Sequence, residues 1–157
     1  VSLNVVAEVL AVAIHEIGTV ESGGANRGPR VEQYLAATHS PPGLPWCAAF
    51  VAWCGIHSGV PWPLAPVPGC MSLYADARAK GCVSQTPETG AVFLLWFPKL
   101  NRYAHTGFLE KHGPAPGQWV TVEGNTNPGG GREGYGVFRR TRTFGPRDVF
   151  LHWWKAA

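Results

Sequence analysis

Apolar positions recur at three- and four-residue steps through the first half of the chain and switch to two-residue steps and short unbroken runs in the second. Val5, Val6, Val9, Leu10, Ala13, Ile14 and Ile17 predict an amphipathic helix, weakened at Gly18 and ended by Gly23-Gly24. A short second helix is expected from Pro29, whose fixed φ suits a first helical position, with Val31, Tyr34 and Leu35 on its inner side. The stretch Ser40-Pro41-Pro42-Gly43-Leu44-Pro45 cannot be helical. It leads into a third helix over about 46–58 that is apolar nearly all round and therefore expected to be buried. Ser72 is expected to cap a fourth helix that stops at Gly81.

Five strands are predicted in the second half, at 91–97, 103–111, 118–124, 136–144 and 149–154, separated by Pro, Gly and Asn turns. Helices first and strands second imply an α+β fold, with helices packed on a mainly antiparallel sheet of five to six strands. No repeat or linker divides the chain, so 1–157 is read as one domain.

Composition narrows the function classes. With 45% hydrophobic and 15% charged residues the chain is not disordered, and its 20 Gly and 14 Pro point to many ordered loops. The net charge of +3 suits an anionic partner, but the basic residues are dispersed, so neither nucleic acid nor membrane is an expected partner. The exception is Arg132 with the run Arg139-Arg140-x-Arg142, where strand alternation sends Arg140 and Arg142 to the face opposite Arg139 and a solvated sheet surface is the plain reading. The N-terminal apolar segment is interrupted by Glu8, His15 and Glu16, which predicts no membrane span. It also lacks the basic region and cleavage site of a signal peptide.

Four cysteines carry the candidate chemistry. Cys47 falls where the Gly/Pro-rich loop stops and the apolar helix starts; there, unpaired backbone N–H groups and the helix dipole favour a thiolate. Cys54, seven residues on, lies about 10.5 Å along the same helix axis, too far for a disulfide with Cys47. Cys70 and Cys82 are free to pair across the intervening helix, and four cysteines do not fix connectivity. Cys54-x-x-His57 has a metal-like spacing without a second pair, so a buried helix cysteine is the better reading and no metal or cofactor is expected.

A cysteine nucleophile needs a base, and the base an orienting partner. Of six histidines, His15, His39, His57 and His112 lie on helices, loops or strand ends, and His152 between apolar neighbours reads as packed. His105 differs: it sits inside a predicted strand among small residues, with Gly107 leaving the same face open for a substrate or a facing helix terminus. The next strand ends in Glu123-Gly124-Asn125 and, as a hairpin neighbour, can bring a carboxylate and an amide to His105. From the residues alone, this Cys-His-Glu/Asn set stands beside a plainer reading of an ordinary strand histidine and a turn.

The segments Pro45-Trp46-Cys47-Ala48-Ala49-Phe50-Val51-Ala52-Trp53-Cys54, His105-Thr106-Gly107-Phe108 and Val122-Glu123-Gly124-Asn125-Thr126-Asn127, in that order, resemble the CHAP family (cysteine, histidine-dependent amidohydrolase/peptidase). The resemblance extends upstream through Glu21 to Tyr34 and covers about residues 5–154. It implies a papain-like core and cleavage of peptidoglycan, as an N-acetylmuramoyl-L-alanine amidase or a peptide endopeptidase. Cys47 then matches the nucleophile, His105 the base, and Glu123 or Asn125 the orienting residue, with the charged Glu123 the stronger partner for an imidazolium. The chain departs from the family at Thr89-Gly90-Ala91, where Gly-Asp is frequent. It departs again at His39–Leu44, which holds no acid; no calcium site is expected. Trp46, Tyr103 and Trp62 are candidate groove walls, with core packing as the alternative. The expected partner is peptidoglycan, acted on by a monomer. A phage lysin, a housekeeping enzyme or a delivered antibacterial toxin would all suit, the last with an immunity protein over the Cys47 groove. Two other readings stay open: a wall-binding module without activity, and a papain-like cysteine amidase acting on a non-wall amide.

Overall fold

In the computed structural model, which describes residues 3–129 and 134–157, the leading periodic segment is α1 (Leu3–His15), followed by α2 (Pro29–Ala37) and α3 (Cys47–Ile56). Every α3 residue from Cys47 to Gly55 is buried, as its unbroken apolar character requires. Tyr34 of α2 locks the two helices together: its ring stacks on Trp46 at 5.5 Å and meets Phe50 and Trp53 edge-on. Its hydroxyl donates to buried Glu16 Oε1 at 2.7 Å, and the Arg30 guanidinium closes on the same oxygen at 2.9 Å, so this buried carboxylate is satisfied.

The fourth helix, α4 (Cys70–Ala79), starts three residues earlier than expected. Gly69 occupies the cap position with no side-chain hydrogen bond, and Ser72 lies inside the first turn rather than capping it. The shift puts Cys70 at the first helical position, the same place in α4 that Cys47 holds in α3.

The strands are β1 (Val83–Ser84), β2 (Val92–Phe97), β3 (Arg102–His112), β4 (Gln118–Thr126), β5 (Gly136–Thr143) and β6 (Val149–Leu151). They form one sheet in the order β1-β6-β2-β3-β4-β5, and every pairing is antiparallel. The α+β expectation of helices packed on an antiparallel sheet therefore holds, with six strands. The last strand ends sooner than expected because His152 leaves the ladder to bond Thr86 O at 2.8 Å, and Trp153–Lys155 turn into a short 3-10 helix.

Helices cover one face of the sheet. Val92 and Leu94 of β2, Phe108 of β3 and Val122 of β4 join the helix-side core, while Phe93, Leu109, Trp119 and Phe150 form a smaller cluster on the other face. At Gly124 the strand comes so close to α3 that a methyl group there would lie 2.6 Å from the Phe50 side chain. Gly124→Ala is accordingly expected to cost about 1–3 kcal/mol through overpacking, which lowers the melting temperature by about 2–4 °C per kcal/mol in a thermal scan. No helix among the described residues is long and apolar enough to cross a membrane.

Candidate active site

Three segments converge on a cleft of about 520 Å³. Asn26, Leu44, Pro45 and the start of α3 form one wall, the start of α4 a second, and β2 and β3 with Asn125, Thr126, Gly134 and Arg142 the third. Cys47 opens α3 and is 8% exposed, with its sulfur turned toward the cleft. His105 lies on β3 opposite Leu95, and it too lines the cleft.

Glu123 orients the imidazole. Alternation along β4 turns Val122 toward the helices and Glu123 to the other face, where its carboxylate accepts the His105 Nε2 hydrogen at 2.7 Å. Nε2 being taken, Nδ1 is the nitrogen left for the thiol. Glu123 is completely buried and fully satisfied: Thr121 Oγ1 donates to Oε2 at 2.5 Å, and the Arg142 fork donates Nε to Oε2 at 2.5 Å and Nη2 to Oε1 at 2.7 Å. Burial would raise the Glu123 pKa, but Arg142 and His105 together outweigh it and hold the carboxyl well below its usual range.

This arrangement changes two readings. Gly107 does not open space for a substrate. A methyl there would meet Val122 O at 2.8 Å and Glu123 Cγ and Phe93 at 2.9 Å, so the missing side chain makes room for the Glu123 side chain itself. Arg142 is not a solvated surface residue either. Its guanidinium lies 5.8 Å over the Phe93 ring and is spent on Glu123, while Arg139 pairs outside with Glu110 and Arg140 donates to Thr126 and the Asn127 carbonyl. The face was legible from alternation; the buried acid waiting on it was not.

Asn125 has a different task from Glu123. It adopts a left-handed backbone, φ 53, and with its amide oriented by the neighbouring groups it accepts Trp46 N–H at 3.2 Å and donates to Gly134 O at 3.3 Å. It thus pins the residue before Cys47. Asn125→Gly keeps the backbone conformation and loses these bonds, for an expected cost of about 1 kcal/mol, whereas Asn125→Ala adds left-handed strain and is expected to cost about 2 kcal/mol in urea unfolding.

None of the three candidate aromatic walls lines the cleft. Trp46 is buried against Tyr34 with Nε1 donating to Glu21 Oε1 at 3.0 Å. Tyr103 packs between Tyr74 and Trp96 and donates its hydroxyl to Arg147 O at 3.1 Å. Trp62 covers Gly55 and packs on Phe108 and Trp153. Their aromatic area goes to the core. The cleft is lined instead by Leu95, Phe97, Leu44, Pro45 and Pro68 among polar groups.

All four cysteines are free thiols. Cys82 donates to Ala77 O at 3.4 Å, Cys54 is buried in α3, and Cys70 faces Cys47 with the two sulfurs 3.9 Å apart. The Cys70 thiol is the main cause of a strongly lowered Cys47 pKa. His105 and the backbone N–H of Ala48 act in the same sense, against burial. The Cys70 pKa is raised in turn, by its bond to Cys47 and by burial. Burial would lower the His105 pKa, but Cys47 and Glu123 raise it from 6.5 to about 9. Both shifts favour a thiolate beside an imidazolium. Of the other histidines, His57 stacks on Trp53 and His152 on Trp154, while His112 packs tilted against Trp119, each outside the cleft.

Fold and site together define an α+β protein with a thiol–imidazole–carboxylate centre at a helix start. Among solved structures, "The crystal structure of Ly7917" is similar over 93% of this chain, with a TM-score of 0.51 and 16% sequence identity. A second structure, "The crystal structure of Ly7917 with the hydrolyzing product of MDP", aligns over the same share with a TM-score of 0.49 and 15% identity. The chain spans about three fifths of the length of those proteins, 61% and 62%. No protein-family model and no curated protein sequence matches it.

Proposed function

We propose that this chain is a cysteine hydrolase of papain-like type that cleaves an amide of peptidoglycan, as an amidase or a peptide endopeptidase, through a thioester on Cys47. The observation that carries the reaction type is the chain Cys47–His105–Glu123–Arg142, in which each group pushes the one before it toward its charged form. The substrate class rests on the resemblance of the cysteine, histidine and Glu-Gly-Asn segments to the CHAP family.

In this mechanism the Cys47 thiolate attacks the amide carbonyl carbon. The Cys47 backbone N–H, free of an intrahelical partner at the start of α3, stabilises the oxyanion. The imidazolium gives its Nδ1 proton to the leaving amine, and the neutral imidazole then takes a proton from the water that hydrolyses the thioester. Glu123, kept ionised by Arg142, holds the ring orientation and stabilises its positive charge.

The pH dependence follows from the same pair. Raising the pH through about 9 removes the His105 proton and with it the general acid, so kcat/KM should fall on the alkaline side with an apparent pKa near 9 that belongs to the coupled pair. Glu123 governs acid stability. Its folded pKa lies below the unfolded value, so its contribution is present above about 4.5 and is lost as the pH drops toward the folded value. Thermal melts at pH 6 and pH 3 check this, and Glu123→Gln should flatten the difference.

Purified sacculi and a panel of peptide and protein amides separate the wall reading from a non-wall cysteine amidase. Loss of turbidity with release of new amines from sacculi is the expected result. Turnover confined to the non-wall amides would overturn the wall assignment.

A further inference from the structure

Arg102 stands apart from the other arginines around the sheet. Arg30, Arg139 and Arg142 are paired with Glu16, Glu110 and Glu123; Arg140 donates to Thr126 and Asn127, and Arg147 lies 3.8 Å over the Trp96 ring. Arg102 opens β3 just after Asn101, whose left-handed backbone (φ 50) ends the short turn Pro98–Leu100. Its side chain is exposed and lines the same cleft as Cys47, Cys70 and His105. Among the described residues no ion pair or hydrogen bond engages it, and no aspartate or glutamate lines the cleft wall. Its charge already reaches Cys70, pulling that pKa down against the other influences on the group.

We propose that Arg102 is a specificity residue that receives a carboxylate of the substrate beside the scissile amide, so that the enzyme prefers stem peptides with a free carboxylate over the carboxamide form. The inference rests on Cys47 being the nucleophile, and its test separates the two. Cys47 is alkylated with iodoacetate, an anion, and with iodoacetamide, its neutral analogue, and the rate at Cys47 is followed by peptide mass spectrometry. In the wild type the ratio of the two rates should exceed that of Arg102→Gln by about tenfold, the order expected of a single cation lining the same cleft at an intermediate dielectric. Arg102→Lys should restore much of it, and added salt should shrink it. An equal ratio in wild type and Arg102→Gln overturns the role of Arg102. If instead neutral iodoacetamide reacts at Cys47 no faster than with free cysteine, the nucleophile reading fails, and this inference with it. A matched pair of muropeptides, carboxylate and carboxamide, should show the same loss of preference in Arg102→Gln, in KM more than in kcat.

A second inference has a different basis, the 3.9 Å between two buried sulfurs that each begin a helix. The geometry points to Cys47 and Cys70 as a reversible oxidation site for peroxides. The Cys47 thiolate attacks hydrogen peroxide, breaking the O–O bond to give a sulfenic acid and hydroxide. The Cys70 thiol then attacks the sulfenic sulfur, forming the disulfide and releasing water. A small-molecule dithiol reverses it by exchange. After peroxide treatment, the wild type should yield a linked Cys47–Cys70 peptide that dithiothreitol separates, returning Cys47 to full alkylation by iodoacetamide. Cys70→Ser should yield no linked peptide and should pass to the irreversible sulfinic and sulfonic acids at Cys47. Recovery of Cys47 to the same extent in both proteins, or over-oxidation of Cys47 in the wild type without the linked peptide, overturns the inference. The readout is the sulfur linkage itself, so it stands apart from which bond the enzyme cuts.

Discussion

Cys47→Ala is expected to leave a folded protein that releases amines from sacculi at least about 10³-fold more slowly than the wild type, since the thiolate that forms the covalent intermediate is gone. Cys47 contributes little packing that alanine cannot replace at a first helical position, and the imidazole left behind keeps its hydrogen bond to the Glu123 carboxylate. The melting temperature should therefore change by only a few degrees, checked by a thermal scan beside the amine assay. Cys47→Ser should be nearly as inactive: a hydroxyl is not ionised by the influences that lower the thiol pKa. Undiminished turnover by a folded Cys47→Ala protein would remove Cys47 from the chemistry.

Glu123→Gln should have the second largest effect, and on two observables at once. The substitution is almost isosteric, yet it replaces an acceptor of four hydrogen bonds by a neutral amide facing the Arg142 fork and the imidazole, both donors. A partly buried guanidinium that loses its buried counter-charge costs at most about 3–5 kcal/mol, read as a lower urea midpoint. Without the carboxylate the imidazolium loses its stabilisation and its orientation, for an expected fall in kcat of about 10²–10⁴-fold. The alkaline limb of the pH profile should also move below 9, because Glu123 is one of the groups that raise the His105 pKa. A merely structural role for Glu123 would lower stability without moving that limb. Substituting Arg142 by leucine should reproduce part of the pattern, with the Glu123 charge left to His105 and Thr121 alone.

Where residues interact with near neighbours, the sequence was readable. The 3.6-residue period placed α1, α2 and α3, although α1 stops at His15, short of the expected Gly23-Gly24; the Pro-rich loop marked the start of the Cys47 helix, and two-residue alternation found five of the six strands. β1 escaped because a two-residue strand exists only through its pairing with Leu151 and Phe150 of β6. The start of α4 was misjudged because Gly69 caps without a side chain, so Ser72 looked like the better signal. The same error hid Cys70, whose meaning depends on a sulfur 23 residues away. In the site, Cys47, His105 and Glu123 come together as hairpin neighbours and a helix start would allow, while Asn125 turns to the backbone of Trp46 instead of the imidazole. Arg142 reads as a surface residue until the buried carboxylate across β4 and β5 is seen. Trp46, Tyr103 and Trp62 show the opposite failure: large aromatics near a nucleophile suggest a groove, but their area is worth more in the core.

Mass spectrometry of muropeptides released from sacculi by the wild type, with Cys47→Ala digested in parallel, bears on the nucleophile, the reaction and the substrate together. The predicted result is fragments that have each gained one water at an amide and carry a new amine and a new carboxylate, absent from the Cys47→Ala digest. Fragments with new reducing sugar ends and intact amides, or the same amide products from both proteins, would contradict a cysteine amide hydrolase acting on the wall.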